Sequence, residues 1–124
     1  MTKLIDCQPK KRYIDKFNPI VLKSIIMYTR DITDFDQGTL IDVRSREEYD
    51  LNHVPNSINI PWDMHLYYLD DLMELSKPLI FFCEEGYRSG LVVLSLRTIG
   101  FQEVYNAGSW LGVMNELEDP KLAA

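Results

Sequence analysis

The stretch Pro78 to Gly90 constrains this chain more than any other. Leu79-Ile80-Phe81-Phe82 is an apolar run of buried-strand length, bounded by Pro78 and then by Cys83. From Ser89 to Ile99 the positions Leu91, Val92, Leu94, Leu96 and Ile99 fit a mostly buried helix, with Gly100 as its stop signal. A strand, a short glycine-bearing loop and a helix put Cys83 at the mouth of a helix N-terminus. Unpaired N–H groups and the helix dipole favour an anion there, whether thiolate, persulfide or bound oxyanion. A free cysteine is often no more than a small core residue. Two neighbours argue against that plainer account. Gly86 permits the left-handed backbone of a cradle-shaped loop, and Arg88 supplies a fixed positive charge.

The rest of the chain alternates in the same manner. Leu40 to Val43 is a short apolar strand broken by Asp42, a carboxylate that needs a partner such as Arg44 or backbone N–H groups if it is buried. Ser45-Arg46-Glu47-Glu48 has capping-box spacing, so a short helix should run to about Leu51. Ile58 to Ile60 reads as a strand closed by Pro61. Asp63 can cap a following helix with Leu66, Leu69, Leu72, Met73 and Leu75 on one face. Glu103 to Tyr105 is one more strand, and Gly108 to Leu117 a final helix carrying Trp110. Residues 1–18 form an extension, 19–118 a single domain and 119–124 a tail. Asn18-Pro19 could open a helix, but Ile25 to Tyr28 reads better as an edge strand, and Asp31 to Phe35 as a short helical turn. Strands alternating with helices imply an α/β fold with a mainly parallel sheet, whose active residues belong at the carboxyl ends of the strands.

Composition narrows the function. The chain has 124 residues, enough for one core, with 13 basic and 19 acidic residues and a net charge of −6. That balance argues against nucleic acid or an anionic membrane as partner. No window has the apolar length of a membrane span, and the start lacks a secretory signal core, so a cytoplasmic protein with Cys7 and Cys83 as free thiols is expected. The two histidines and two cysteines lack the paired spacing of a zinc site, so no metal is expected. His53 could pair with a cysteine, but fastening a turn is the plainer role.

Cys83 to Ser89 with its helix, followed by Gly100-Phe101-Gln102-Glu103-Val104-Tyr105-Asn106-Ala107-Gly108-Ser109-Trp110, resembles the C-terminal half of a rhodanese-like domain. Leu40-Ile41-Asp42-Val43-Arg44, then Glu47-Glu48-Tyr49 and His53 to Pro61, is similar to that family's N-terminal signature. The two blocks span about Thr39 to Val113. The resemblance implies a rhodanese-like three-layer sandwich, a mainly parallel central sheet flanked by helices. It also implies a sulfurtransferase without a cofactor. Cys83 would take sulfane sulfur from thiosulfate, a persulfide or a polysulfide and pass it to cyanide or a thiol, with a sulfur-relay protein as a further candidate partner. The substrate-binding loop would be Glu84, Glu85, Gly86, Tyr87, Arg88 and Ser89, with Arg88 as anion anchor and Asp42 and Arg44 holding the loop in place.

Two other classes stay open. One is a binding or regulatory module on the same fold, against which the intact cysteine argues. The other is a cysteine phosphatase or arsenate reductase, whose loop places five residues between Cys and Arg; here there are four. The shorter cradle suits sulfur better than a phosphoryl group. Glu84 and Glu85 depart from the basic residue that thiosulfate-active relatives often carry after the cysteine. A carboxylate roughly 7 Å away opposes an anion by roughly 1 kcal/mol. Two such groups would largely offset Arg88 and disfavour a small dianion as donor, unless both point into solvent and are screened.

Overall fold

The computed structural model describes residues 31, 32 and 34–118. The extension 1–18 with Cys7, the helix start at Asn18-Pro19, the edge strand over Ile25 to Tyr28 and the tail 119–124 lie outside the described residues.

Among the described residues four strands, β1 (Thr39–Asp42), β2 (Ile58–Asn59), β3 (Leu79–Cys83) and β4 (Val104–Ser109), form one sheet in the order β2-β1-β3-β4. All three pairings are parallel. Around them lie α1 (Arg46–Leu51), a 3-10 helix (Trp62–Tyr68), α2 (Leu69–Glu74), α3 (Tyr87–Thr98) and α4 (Trp110–Glu118). Every residue of β3 is buried, as a central parallel strand covered on both faces must be. Its side chains alternate between two cores. Leu79, Phe81 and Cys83 join Ile41, Leu72, Val92 and Leu96 on the α2–α3 face. Ile80 and Phe82 join Val54, Ala107, Trp110 and Val113 on the α4 face. The result is an α/β three-layer arrangement with a parallel sheet in the middle.

Local chemistry explains the element ends. Ser45 accepts the Glu48 N–H while the Glu48 carboxylate accepts the Ser45 N–H, the reciprocal capping box that opens α1. Gly38 turns the chain into β1 at φ +95°, where any Cβ would stand 2.1 Å from the Pro78 carbonyl oxygen. Only glycine fits that approach.

Several expectations need correction. The segment after Pro61 opens as a 3-10 helix without a side-chain cap, so Asp63 caps nothing. Pro61 holds the cap position, and the Trp62 and Met64 N–H groups bond the carbonyls of Val43 and Pro61. Of the apolar stripe expected there, Leu72 is buried while Leu66 and Met73 are exposed, because the 3-10 turn rotates the face away from α-helical spacing. β4 runs on to Ser109 instead of ending at Tyr105, and α4 starts at Trp110. Asn106-Ala107-Gly108 reads locally as a turn, but pairing with β3 continues through a one-residue bulge, Phe81 opposite Asn106 and Phe82 opposite Gly108. Helix α3 begins at Tyr87, two residues before the expected Ser89, and Ile99 lies exposed beyond its end. Asp31, Ile32, Asp34 and Phe35 carry no helical turn. Asp31 instead exchanges hydrogen bonds with the Asn106 backbone.

Candidate active site

Cys83 is the last residue of β3 and is 1% exposed. Gly86, at φ +103°, turns the chain in the left-handed region and opens α3 at Tyr87. That turn aims two backbone donors back at the sulfur. The Gly86 N–H lies 3.0 Å and the Ser89 N–H 3.4 Å from Cys83 Sγ. Ser89 Oγ is a further 3.4 Å neighbour. The first turn of a helix has no internal acceptors for such N–H groups, and here an anionic sulfur can take that role.

A neutral network holds the loop from the β4 side. Asn106, 2% exposed, donates from Nδ2 to the Gly86 carbonyl at 3.1 Å. Its Oδ1 accepts the Ser89 hydroxyl at 2.7 Å and the Gly108 N–H at 3.0 Å. The Ser89 hydroxyl has one proton, and Asn106 Oδ1 is its nearest acceptor. The Ser89 oxygen therefore presents lone pairs to Cys83 unless the hydroxyl rotates toward a charged sulfur.

Charged groups hold the other side. Asp42 and Arg44, 0% and 3% exposed, form a bidentate pair with contacts of 2.9–3.1 Å. Asp42 also accepts the Arg44 N–H, and Arg44 donates to the Asn52 carbonyl at 2.7 Å. The Arg44 guanidinium lies over the Trp110 ring, 4.4 Å from its centroid. Trp110 Nε1 donates to Glu84 Oε1 at 3.1 Å, and Arg44 Nη1 is 3.8 Å from the same oxygen. Glu84 is thus drawn toward a guanidinium and an indole N–H.

Arg88 does not stand free beside the sulfur. Its guanidinium grips both Glu48 oxygens, at 2.9 and 3.2 Å. That hydrogen bond holds the Glu48 carboxyl down at about 2 against the upward pull of burial, with the Ser45 N–H adding to it. The same bond pushes the Arg88 guanidinium above its ordinary range. The expected anion anchor is therefore already joined to an internal carboxylate.

The expected site residues gather at the carboxyl end of β3 and β1: Cys83, the loop Glu84 to Ser89, Asp42 and Arg44. Glu85 and Tyr87 are exposed on the loop. His53 is not among them. Its Nδ1 lies 2.8 Å from the Tyr49 carbonyl and its ring stacks on Tyr49 at 3.8 Å, which fastens a turn. Sequence reasoning assigned no site role to Glu48, Asn106 or the Trp110 indole. Glu48 was visible only as a capping residue. Asn106 carried a usable signal, an amide beside the apolar Val104 and Ala107 that needs partners if the strand is buried.

The rhodanese-like domain family model matches residues 27–116. The adenylyltransferase and sulfurtransferase uba4 of Ogataea parapolymorpha is 35% identical over 82 residues, covering 65% of this chain and 21% of that protein. The thiosulfate:glutathione sulfurtransferase of Saccharomyces cerevisiae is 33% identical over 89 residues, 62% of this chain and 62% of that protein. The uncharacterized protein YqhL of Bacillus subtilis is 32% identical over 90 residues, 69% of this chain and 71% of that protein. The chain thus spans about a fifth of the first of these and less than two thirds of the second.

Proposed function

The chain belongs to the rhodanese-like domain family, and from that premise we propose that it is a sulfurtransferase working through a persulfide on Cys83. The observation that carries the reading is the pair of backbone N–H groups, Gly86 and Ser89, aimed at Cys83 Sγ. The names of the yeast relatives, both sulfurtransferases, support the class of reaction.

In the first half-reaction the Cys83 thiolate attacks the outer sulfur of a donor R–S–S⁻. The new S–S bond leaves Cys83–S–S⁻, and the donor departs as its thiolate; with thiosulfate the leaving group is sulfite. In the second half-reaction a thiolate or cyanide attacks the terminal sulfur and restores the Cys83 thiolate. Charge stays on sulfur throughout, so no general base is needed once the thiolate is formed. The loop N–H groups stabilise the thiolate, being fixed before reaction and aimed at Sγ.

The ion pairs bear on donor choice. Arg88 is engaged by Glu48 and Arg44 by Asp42, so no uncommitted cation faces the sulfur among the described residues. A dianion such as thiosulfate gains little from this site, whereas a persulfide or polysulfide with less charge density is served by the N–H pair alone. Glu84 contributes less repulsion than its charge suggests, because Trp110 and Arg44 hold it. Glu85 is exposed and screened.

Intact-protein mass after incubation with thiosulfate or polysulfide tests the reading. Polysulfide should add one sulfur atom to the wild type and none to Cys83→Ser, and cyanide should remove it with release of thiocyanate. Thiosulfate should load more slowly than polysulfide. An unlabelled Cys83 with both donors would leave a binding module as the better description.

A further inference from the structure

Asn106 fastens the Cys83 loop from β4, but its own position rests on a residue outside the sheet. The parallel ladder of β3 and β4 slips by one residue here, with Phe81 opposite Asn106 and Phe82 opposite Gly108. Such a bulge bends its strand and interrupts the regular ladder. Successive carbonyls along a strand point to opposite sides. Glu103 gives its carbonyl to the Leu79 N–H of β3, so those of Val104 and Asn106 face away from β3. Asp31 takes both backbone groups of Asn106. Its N–H donates to the Asn106 carbonyl at 2.7 Å, and its Oδ1 accepts the Asn106 N–H.

The carboxylate is itself held. Asp31 Oδ2 lies 3.1 Å from Arg97 Nη2, which also donates to the Val104 carbonyl at 2.7 Å. Arg97 stands in the last turn of α3 and Ser89 in its first. A closed circuit results. It runs from Asp31 to Arg97, along α3 to Ser89, from the Ser89 hydroxyl to Asn106 Oδ1 at 2.7 Å, and from the Asn106 backbone back to Asp31. The helix that carries the cysteine loop is thereby tied to β4 at both ends. The Asn106 amide meets Gly86, Ser89 and Gly108 at 2.7–3.1 Å. Hydrogen bonds of that length weaken steeply when their geometry drifts, so a shift of the Asn106 backbone is felt at the loop.

We propose that Asp31 is a positioning residue for Cys83, fixing the Asn106 backbone so that its amide keeps the Gly86 and Ser89 N–H groups on Sγ. The inference rests on the persulfide reading above and adds a residue that acts on the sulfur only through Asn106. Aspartate suits the place. Its two oxygens serve one N–H and one guanidinium at once, on a side chain short enough to lie beside its own backbone N–H. Asp31 is 34% exposed, so water can satisfy the Asn106 N–H once the carboxylate is gone. Its removal therefore loosens position more than it costs stability.

The test uses the full chain with Cys7→Ser, which leaves Cys83 as its single thiol. Polysulfide loading is read by intact mass, and the Gly86 and Ser89 amides by their NMR resonances. Asp31→Ala should load about fivefold more slowly, a fraction of what a lost donor costs. Both amide resonances should move upfield as their bonds to Sγ lengthen, in the direction that Asn106→Ala moves them. Asp31→Asn keeps an oxygen for the Asn106 N–H and should stay within about twofold of the parent chain. In an Asn106→Ala background Asp31→Ala should add nothing further, because the two act along one path. Leu75→Ala trims the core near the amino end of β3; it should lower stability and leave both readouts unmoved. The proposal is overturned by parent-like loading in Asp31→Ala or by an additive loss with Asn106→Ala. It is also overturned if Asp31→Asn is as slow as Asp31→Ala, or if Leu75→Ala shows the same loss. Should Asp31→Ala not fold, Arg97→Ala frees the same carboxylate and decides in its place. Loading about twofold slower, and no slower than Asn106→Ala when the two are combined, then supports the proposal, and parent-like loading overturns it. If polysulfide fails to load the parent chain, the persulfide reading fails by itself, and the amide resonances decide the role of Asp31.

Discussion

The Cys83 loop is held from two sides, and the two supports are made of different chemistry. On the β4 side an uncharged network, Asn106 to Gly86 and Ser89, lies buried directly against the sulfur. On the β1 side the support is ionic, Asp42–Arg44–Glu84 and Glu48–Arg88, and reaches the loop at its first residue and on its helical turn. Neutral hydrogen bonds can sit beside a reacting anion without changing its charge balance. Ion pairs close in on themselves and fix position. The comparison separates shaping the cradle, done without charge, from bracing it, done with charge.

The strongest way to break the comparison is at Asp42–Arg44. Arg44→Met strips the buried Asp42 carboxylate of its partner, and breaking such a pair costs about 3–5 kcal/mol. Equilibrium denaturation should show a loss of that order. Asp42→Leu/Arg44→Met removes both charges and should recover most of it, since an apolar replacement of a buried pair is often nearly neutral. Loop position should not recover, because Glu84 and Trp110 still lack Arg44. A double variant with restored stability but slow polysulfide loading would establish the brace, whereas full recovery of both would show that the pair serves stability alone.

The neutral side comes next. Asn106→Ala leaves the buried Gly108 N–H without its acceptor and takes one donor from the Gly86 carbonyl and the nearer of two acceptors from the Ser89 hydroxyl, a loss of about 2–3 kcal/mol. Loading of Cys83 should slow about tenfold, as a displaced N–H donor costs an electrostatically stabilised reaction at least that much. The effect should not vary between low and high salt. A salt-dependent loss would mean that the two supports are coupled rather than separate.

How much of this was legible beforehand follows from the same division. The strand–cysteine–glycine–helix unit was readable because its signals are local: an apolar run, one glycine and a helical stripe. The capping box at Ser45 and Glu48 was readable for the same reason. Supports that join residues far apart in sequence were not. Glu48 meets Arg88 across 40 positions and Asn106 meets Ser89 across 17, and no spacing rule connects them. The 3-10 helix misled because its three-residue turn resembles a loosened α-helical stripe. The last strand was read short because Asn106-Ala107-Gly108 is turn-like in isolation, and only the ladder with β3 keeps it extended.

The smallest expected effect is the most selective. Glu48→Gln keeps the reach of the capping box, since glutamine also serves there, but removes the charge that grips Arg88. Both side chains are partly exposed, 36% and 27%, so solvent screening limits the pair to about 0.5–1 kcal/mol. Its pH dependence has a definite sign. The folded Glu48 carboxyl sits at about 2, below its ordinary 4.5, so the stabilisation is complete above 4.5 and disappears as pH falls through 2. The wild type should therefore exceed Glu48→Gln in stability by a constant margin at neutral pH, and the margin should shrink between about pH 4.5 and pH 2. It should also shrink in high salt, which the Asn106→Ala margin should not do. A Glu48→Gln margin that stays flat across acid and salt would show that the Arg88 contact is packing rather than charge, and the contrast between the two supports would then end at Asp42 and Arg44.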